Sequence, residues 1–285
     1  MFETNEFAQS TGRERAMYII SLVLMFLLAA LFIFPFYWML KGSLQPSSMA
    51  MQVPPAIAPT NLTLNNFYRL FTETNAIRWL VNSIIVAGSS TVLTLFTASF
   101  AGYAFAKMRF PGRTAIFWIL VAAMMVPKQV TLVPLYIMMN QYGLYNTYPG
   151  MFLPMVAWPF GLFLFRQFMQ SIPSDIIESA RIDGAHEFTT YLRIIVPMSR
   201  PAFATVGIMY FIQTWNDYMW QLVIVKDLFM STLPVGIAKV SRTQFEVDYG
   251  LLMAGTAFGS ILVAIAFFAF QKHFVRGLTM GAVKG

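Results

Sequence analysis

Apolar runs long enough to cross a bilayer recur along this chain, and they restrict its fold more than any other feature does. A backbone in hydrocarbon has no water to bond to, so it must close its own hydrogen bonds, as a helix does. Runs at 17–40, 78–106, 114–139, 150–165, 201–225 and 250–270 predict six membrane helices in an all-α protein. Composition agrees, with 58% hydrophobic and 11% charged residues, far from a soluble domain. Pro35 interrupts the first run, and Pro127 with Pro134 is expected to break the third. A cleaved leader is rejected, because the first run exceeds a signal peptide's apolar core and has no small-x-small site before Lys41.

Charge sets the orientation. Lys107, Arg109 and Arg113 crowd one short turn, which places that turn in the cytoplasm and the N-terminus with it. Arg13, Arg15, Arg166, Arg181, Arg193, Arg200, Lys272, Arg276 and Lys284 then fall on the same side, and both termini are cytoplasmic. The expected division is a cytoplasmic N-terminus 1–16, a first helix 17–40, an irregular outer loop 41–77, a core 78–271 of five helices, and a cytoplasmic tail 272–285. The segments 140–149 and 226–249 are expected to be further outer loops. Asn82, Ser83, Gly88, Ser90, Thr94, Ser99 and Gly102 in the second run predict close helix packing with bonds across it.

Several functions are excluded. The net charge of +7 is scattered through short loops instead of forming a stripe, so nucleic-acid binding is not expected. Without cysteine there is no disulfide and no thiolate metal site. His186-Glu187 opens like a zinc-protease motif, but Thr190 stands where the second histidine would be. Neither a G-x4-G-K-[ST] nor a G-x-S-x-G occurs, so this chain binds no ATP by a P-loop and shows no catalytic constellation.

Between the fourth and fifth runs lies a polar island, 173–201, PSDIIESARIDGAHEFTTYLRIIVPMSRP. Ser174 is expected to cap a helix with Asp175 and Glu178 in its first turn, and Gly184 to end it in the left-handed conformation. Phe188, Tyr191, Leu192 and Ile195 recur at helical spacing and predict a second short helix, ended by Pro197. Two apolar faces are more than a solvated linker needs; the island calls for a docking partner.

Glu178-Ser179-Ala180, then three residues, Gly184, nine residues, Ile194, one residue and Val196-Pro197 resemble the EAA loop of ABC importer permeases, E-A-A-x3-G-x9-I-x-L-P. Ser179 replaces an alanine and Val196 a leucine. The resemblance implies that Glu178, Ser179, Ala180, Asp183, Gly184, Ile194 and Pro197 couple the chain to an ATP-hydrolysing subunit. GYAFAKMRFPGR from Gly102, VPKQVTLVPLY from Val126, GLYNTYPG from Gly143, LFRQFMQSIP from Leu164, FIQTWNDYMWQLVI from Phe211 and FVRGLTMGAVKG from Phe274 are similar to the carbohydrate-importing branch. The tail is similar to that of the smaller, six-helix subunit of maltose-type importers. It implies contact of Gly277, Gly281 and Lys284 with the ATPase subunits, where composition alone favours a basic end lying near anionic lipid.

The family implied has the type I ABC importer permease fold in the inner membrane and works by alternating access. Its partners are a homologous second permease, two ATPase subunits that bind ATP and Mg, and an extracytoplasmic solute-binding protein. The cargo implied is a sugar, an oligosaccharide, a uronide or a glycerol phosphate, and no cofactor is expected on this chain. In the fifth run Gln213, Asn216, Asp217, Trp220 and Gln221 would share one helical face, with Tyr218 beside them. Amides, a carboxylate and aromatic rings suit a sugar path; the same groups could instead bond to neighbouring helices. An ion-driven transporter with Asp217 as its coupling site is the alternative class.

Overall fold

The computed structural model describes residues 12–50, 52, 54, 56–242 and 246–282. Apart from one four-residue turn at Ser47–Ala50 and short 3-10 turns, the helices among the described residues are α1 (Gly12–Ser43), α2 (Asn65–Thr72), α3 (Ala76–Lys107), α4 (Arg113–Ala122), α5 (Lys128–Gln141), α6 (Tyr148–Phe152), α7 (Pro159–Gln170), α8 (Ser174–Ile182), α9 (Glu187–Met198), α10 (Arg200–Trp215), α11 (Met219–Ile224), α12 (Leu233–Val240) and α13 (Tyr249–Ala282). Among the described residues the only β pairing is an isolated bridge between Arg242 and Val247. The all-α expectation holds.

Two helices, at Ala16–Ser43 and Ala76–Lys107, are each long and apolar enough to cross a membrane. Three further pairs reach that length only if each bent pair is one span: 101° between Arg113–Met125 and α5, 48° between Tyr148–Met155 and α7, and 78° between α9 and α10. Pro127 makes the sharpest break, but Pro134, expected to break the same run, lies inside α5. Pro35 likewise sits within α1. A proline removes one hydrogen bond, and a helix in an apolar setting tolerates that where a larger unwinding would expose more polar groups.

The described residues form two compact units, one from within 1–73 and 241–257 and one from within 74–240 and 258–285. In the first, the stretch expected as irregular outer loop is built around polar bonds. Asn66 on α2 is buried and donates to the carbonyls of Ser43 and Gln45 at 3.0 and 2.7 Å. Asp248 accepts from Ser47 Oγ at 2.6 Å and pairs with Arg69 at 2.8 Å, while capping α13 through the Leu251 N–H. Burial opposes ionisation of Asp248, yet the bonds from Ser47, Leu251 and Arg69 hold its carboxyl below the usual range. Proline and asparagine content hid α2, whose buried residues Asn66 and Leu70 are only one helical turn apart.

The second unit is organised on α3. Gly102 lets α7 approach so closely that a Cβ there would lie 2.5 Å from Phe165 Cβ and 3.1 Å from the Arg166 nitrogen. Asn82 donates to the carbonyls of Phe229 and Ser231, both at 2.9 Å, and Trp79 Nε1 to that of Leu228 at 2.7 Å. These bonds fasten the segment expected as an outer loop at 226–249, which holds α12 with Leu233, Val235 and Ile237 buried. The polar residues of the second run therefore do what close helix packing requires.

Candidate functional site

The island at 173–201 folds as a helix, a glycine elbow and a second helix. Gly184 adopts φ +79, as its position after α8 predicted. Ala185 N–H bonds to Ala180 O at 2.9 Å and Gly184 N–H to Arg181 O at 3.0 Å, a Schellman closure of the helix end. Three local expectations fail. Pro173, in extended conformation, holds the N-cap position, and Ser174 is already helical with no side-chain cap bond. Glu178 lies in the second turn of α8, leaving Asp175 as the acid of the first. Pro197 does not end the second helix, which runs on to Met198 through a π-helical turn at Tyr191–Ile195. Without an N–H, Pro197 cannot bond to Arg193 O, and the wider turn just upstream absorbs that misfit.

α8 is two-faced. Ile177 and Ala180 are buried, Ile177 in a cluster with Phe105, Phe117, Phe165 and Ile195. Glu178, Ser179, Ile182, Asp183 and Gly184 are exposed, and the Ile182 side chain stands 86% exposed at the elbow. Of the residues singled out by sequence, Ala180 packs inward, Ile194 is half-buried and Pro197 exposed. Sequence reasoning missed two that the structure places beside them: Glu187 and, 84 positions earlier on α3, Tyr103, whose hydroxyl donates to Glu187 at 2.6 Å. Only the tertiary fold brings them together.

The expected polar face of the fifth run is not one helix face. α10 ends at Trp215, the chain is non-helical at Asn216–Tyr218, and α11 starts at Met219. Asn216 Nδ2 turns back to Ile212 O at 2.9 Å, and Asp217 Oδ1 accepts the Trp220 N–H at 3.2 Å. Such short polar side chains compete with the backbone ladder, which accounts for the break. Trp220 and Gln221 are buried and donate to the carbonyls of Gly150 and Met151 at 3.2 and 3.1 Å. Gln213, Asp217 and Tyr218 remain half-exposed and Asn216 exposed.

A second break, at 156–158, lies against α3 and α10. Pro159 leaves Met155 O without its helical donor, and the Tyr210 hydroxyl supplies one; Thr94 Oγ1 donates to Val156 O at 3.1 Å. In the tail, α13 extends to Ala282 and includes Gly277 and Gly281; Lys284 lies outside the described residues. Among the described residues no group of three or more His, Cys, Asp or Glu could hold a metal.

Residues 92–280 match the family described as binding-protein-dependent transport system inner membrane component. The chain belongs to that family. The arabinooligosaccharides transport system permease protein AraQ of Bacillus subtilis (strain 168) is 36% identical over 274 residues, 95% of this chain and 97% of its own. The trehalose/maltose transport system permease protein MalG of Thermococcus litoralis is 34% identical over 277 residues, 95% and 98% of the two chains. In structure, the chain resembles one from a bacterial ABC transporter involved in import of the acidic polysaccharide alginate. The TM-score is 0.82 at 21% identity, covering 93% of this chain and 99% of that one. As an inner membrane component of this family the chain is a multi-pass transport subunit and no enzyme, and both segments singled out above, 173–201 and 213–221, fall inside the matched residues.

Proposed function

We propose that the chain is the permease subunit of an ATP-driven ABC importer that carries a carbohydrate through the inner membrane by alternating access. The names of its relatives support the cargo class, and family membership supports import driven by a separate ATPase. Nothing in these comparisons supports the ion-coupled reading with Asp217 as the coupling site. The proposed topology has six crossings with both termini in the cytoplasm, α1, α3 and α13 crossing as single helices, and α4 with α5, α6 with α7, and α10 with α11 supplying the rest.

The observation that carries the mechanism is the two-faced α8. Its inner face is fixed in the body by Ile177 and Ala180, so its outer face, Glu178, Ser179, Ile182 and Asp183, is free to seat in an ATPase subunit. An apolar knob rimmed by polar groups is the anatomy of a docking surface. Closure of two ATPase subunits on ATP would push α8 and, through it, the helices. Gly277, Gly281 and Lys284 would reach the ATPase pair, and a second permease and a loaded solute-binding protein would complete the assembly. Gln213, Asn216, Asp217 and Tyr218 at the helix break would face the solute, with Trp220 and Gln221 holding α11 against α6.

The test is copurification of the ATPase subunit with Gly184→Val, together with ATPase stimulation by loaded solute-binding protein. A β-branched residue at φ +79 is strained, and attachment and stimulation should both fall while the subunit still inserts. Normal attachment with normal stimulation would show that α8 is not the coupling element.

A further inference from the structure

We propose that Glu187 is a positioning residue that fixes the angle of the coupling helix and ties it to the second membrane span. The proposal rests on the reading of α8 as the coupling element.

Glu187 is the first residue of α9, just beyond the elbow, and its two carboxylate oxygens serve different elements. Oε2 accepts the Tyr103 hydroxyl of α3 at 2.6 Å. Oε1 accepts Arg181 Nε of α8 at 2.9 Å and pairs with its second guanidinium nitrogen at 2.7 Å. One side chain therefore joins three helices: the one that would receive the ATPase, the one after the elbow, and the central span.

The elbow needs such a strut. Beyond its two chain neighbours, no atom lies within 4 Å of the place a Gly184 Cβ would occupy, so the elbow itself is open, and α8 and α9 otherwise meet in the deeper cluster of Ile177 with Tyr191 and Ile195. α9 is already seated on α3 without Glu187. Tyr191 and Ser99 share a 2.6 Å hydrogen bond, and the Phe100 ring stacks on Tyr191 at 4.2 Å and on Phe188 at 5.9 Å. α8 has Ile177 and Ala180 in the body, but its only ion pair among the described residues is Arg181 to Glu187. A partly exposed ion pair contributes little to static stability. Its geometry is another matter: Arg gives a directed, two-pronged contact, and a charge-assisted bond from Tyr103 holds the other oxygen. Removing the carboxylate should leave a folded, assembled loop whose tilt reaches α3 poorly.

Glu187→Gln, Tyr103→Phe and the double variant should be assayed in the assembled importer for solute transported per ATP hydrolysed. Attachment of the ATPase and its basal rate should match the parent, whereas transport per ATP should fall by about 2- to 30-fold, the span expected of coupling residues. The double variant should be no worse than Glu187→Gln alone, because Tyr103 acts through Glu187. Arg181→Glu combined with Glu187→Arg restores the α8 side of the strut only and should recover part of the ratio. Unaltered transport per ATP in both single variants, or losses that multiply in the double, would overturn the role of Glu187. Gly184→Val run in parallel separates the failures. If it impairs attachment or stimulation while Glu187→Gln is normal, the strut alone falls; if it is also normal, the coupling reading falls with it.

Discussion

The Tyr210 hydroxyl donates to the carbonyl of Met155, the acceptor that Pro159 deprives of a helical partner. A side chain on α10 thereby closes the break in front of α7. Tyr210 is buried, and its ring lies 4.7 Å from that of Trp158. Tyr210→Phe keeps the ring and removes the hydroxyl, and with it the donor to Met155 O. The expected cost is about 1 kcal/mol, set by leaving a buried carbonyl unpaired. Thermal unfolding of the purified complex should fall modestly, with the subunit still assembled. A Phe variant as stable as the parent would mean that water or another donor already serves Met155.

Helix approach is tested at Gly102. A methyl group there meets Phe165 Cβ and the backbone of Arg166, neither of which can swing aside. Gly102→Ala should therefore force α3 and α7 apart at a cost of about 1–3 kcal/mol. Gly88 lies in the same helix with nothing within 4 Å of its virtual Cβ. Gly88→Ala should be neutral or stabilising by up to about 1 kcal/mol, because alanine is the better helix former. The pair is read by thermal unfolding in one detergent, and equal effects would remove the packing explanation.

Much of this was legible in the sequence, and the failures share a physical origin. Gly184 was readable because a helix end with a glycine at the right spacing leaves few conformations open. The small polar residues of α3 were readable because Asn82, Ser83, Thr94 and Ser99 have few uses in an apolar helix other than bonding to neighbours. The break at Asn216 was not, since no proline or glycine marks it and a face drawn at 3.6 residues per turn assumes an unbroken helix. Asp217 as a helix cap accounts for it only once α11 is seen. Tyr103 and Glu187 were invisible because 84 residues separate them, and nothing local to either one points to the other.

The ionisation of Asp248 gives a pH dependence with a definite sign. Its folded pKa lies below the unfolded value near 3.9, so the carboxylate contributes stability that is fully present above about pH 4 and lost as pH falls through the folded pKa. Asp248→Asn preserves an acceptor for the Leu251 N–H but loses the charge facing Arg69. The variant should unfold at lower temperature than the parent at pH 7, and the gap should narrow as pH is lowered below about 4. A gap unchanged between neutral and acidic pH would mean that shape at Asp248 matters and its charge does not.

Orientation is open to direct labelling, since the chain has no cysteine to give a background. The structure guides the choice of positions. Ser231 is fully buried and Ser47 is bonded to Asp248, so neither makes a useful probe. Thr72 at the end of α2 and Tyr142 after α5 are exposed and belong to the proposed outer side. Pro111 in the basic turn and Ser179 on α8 are exposed and belong to the proposed cytoplasmic side. With an impermeant thiol reagent on sealed cells, Thr72→Cys and Tyr142→Cys should label, and Pro111→Cys and Ser179→Cys only after the membrane is opened. Ser179→Cys should in addition be shielded when the ATPase subunit is bound, because α8 presents that residue on its outer face. Labelling of Pro111→Cys in sealed cells would invert the topology, since three basic residues beside it could not then obey the charge bias that orients the chain.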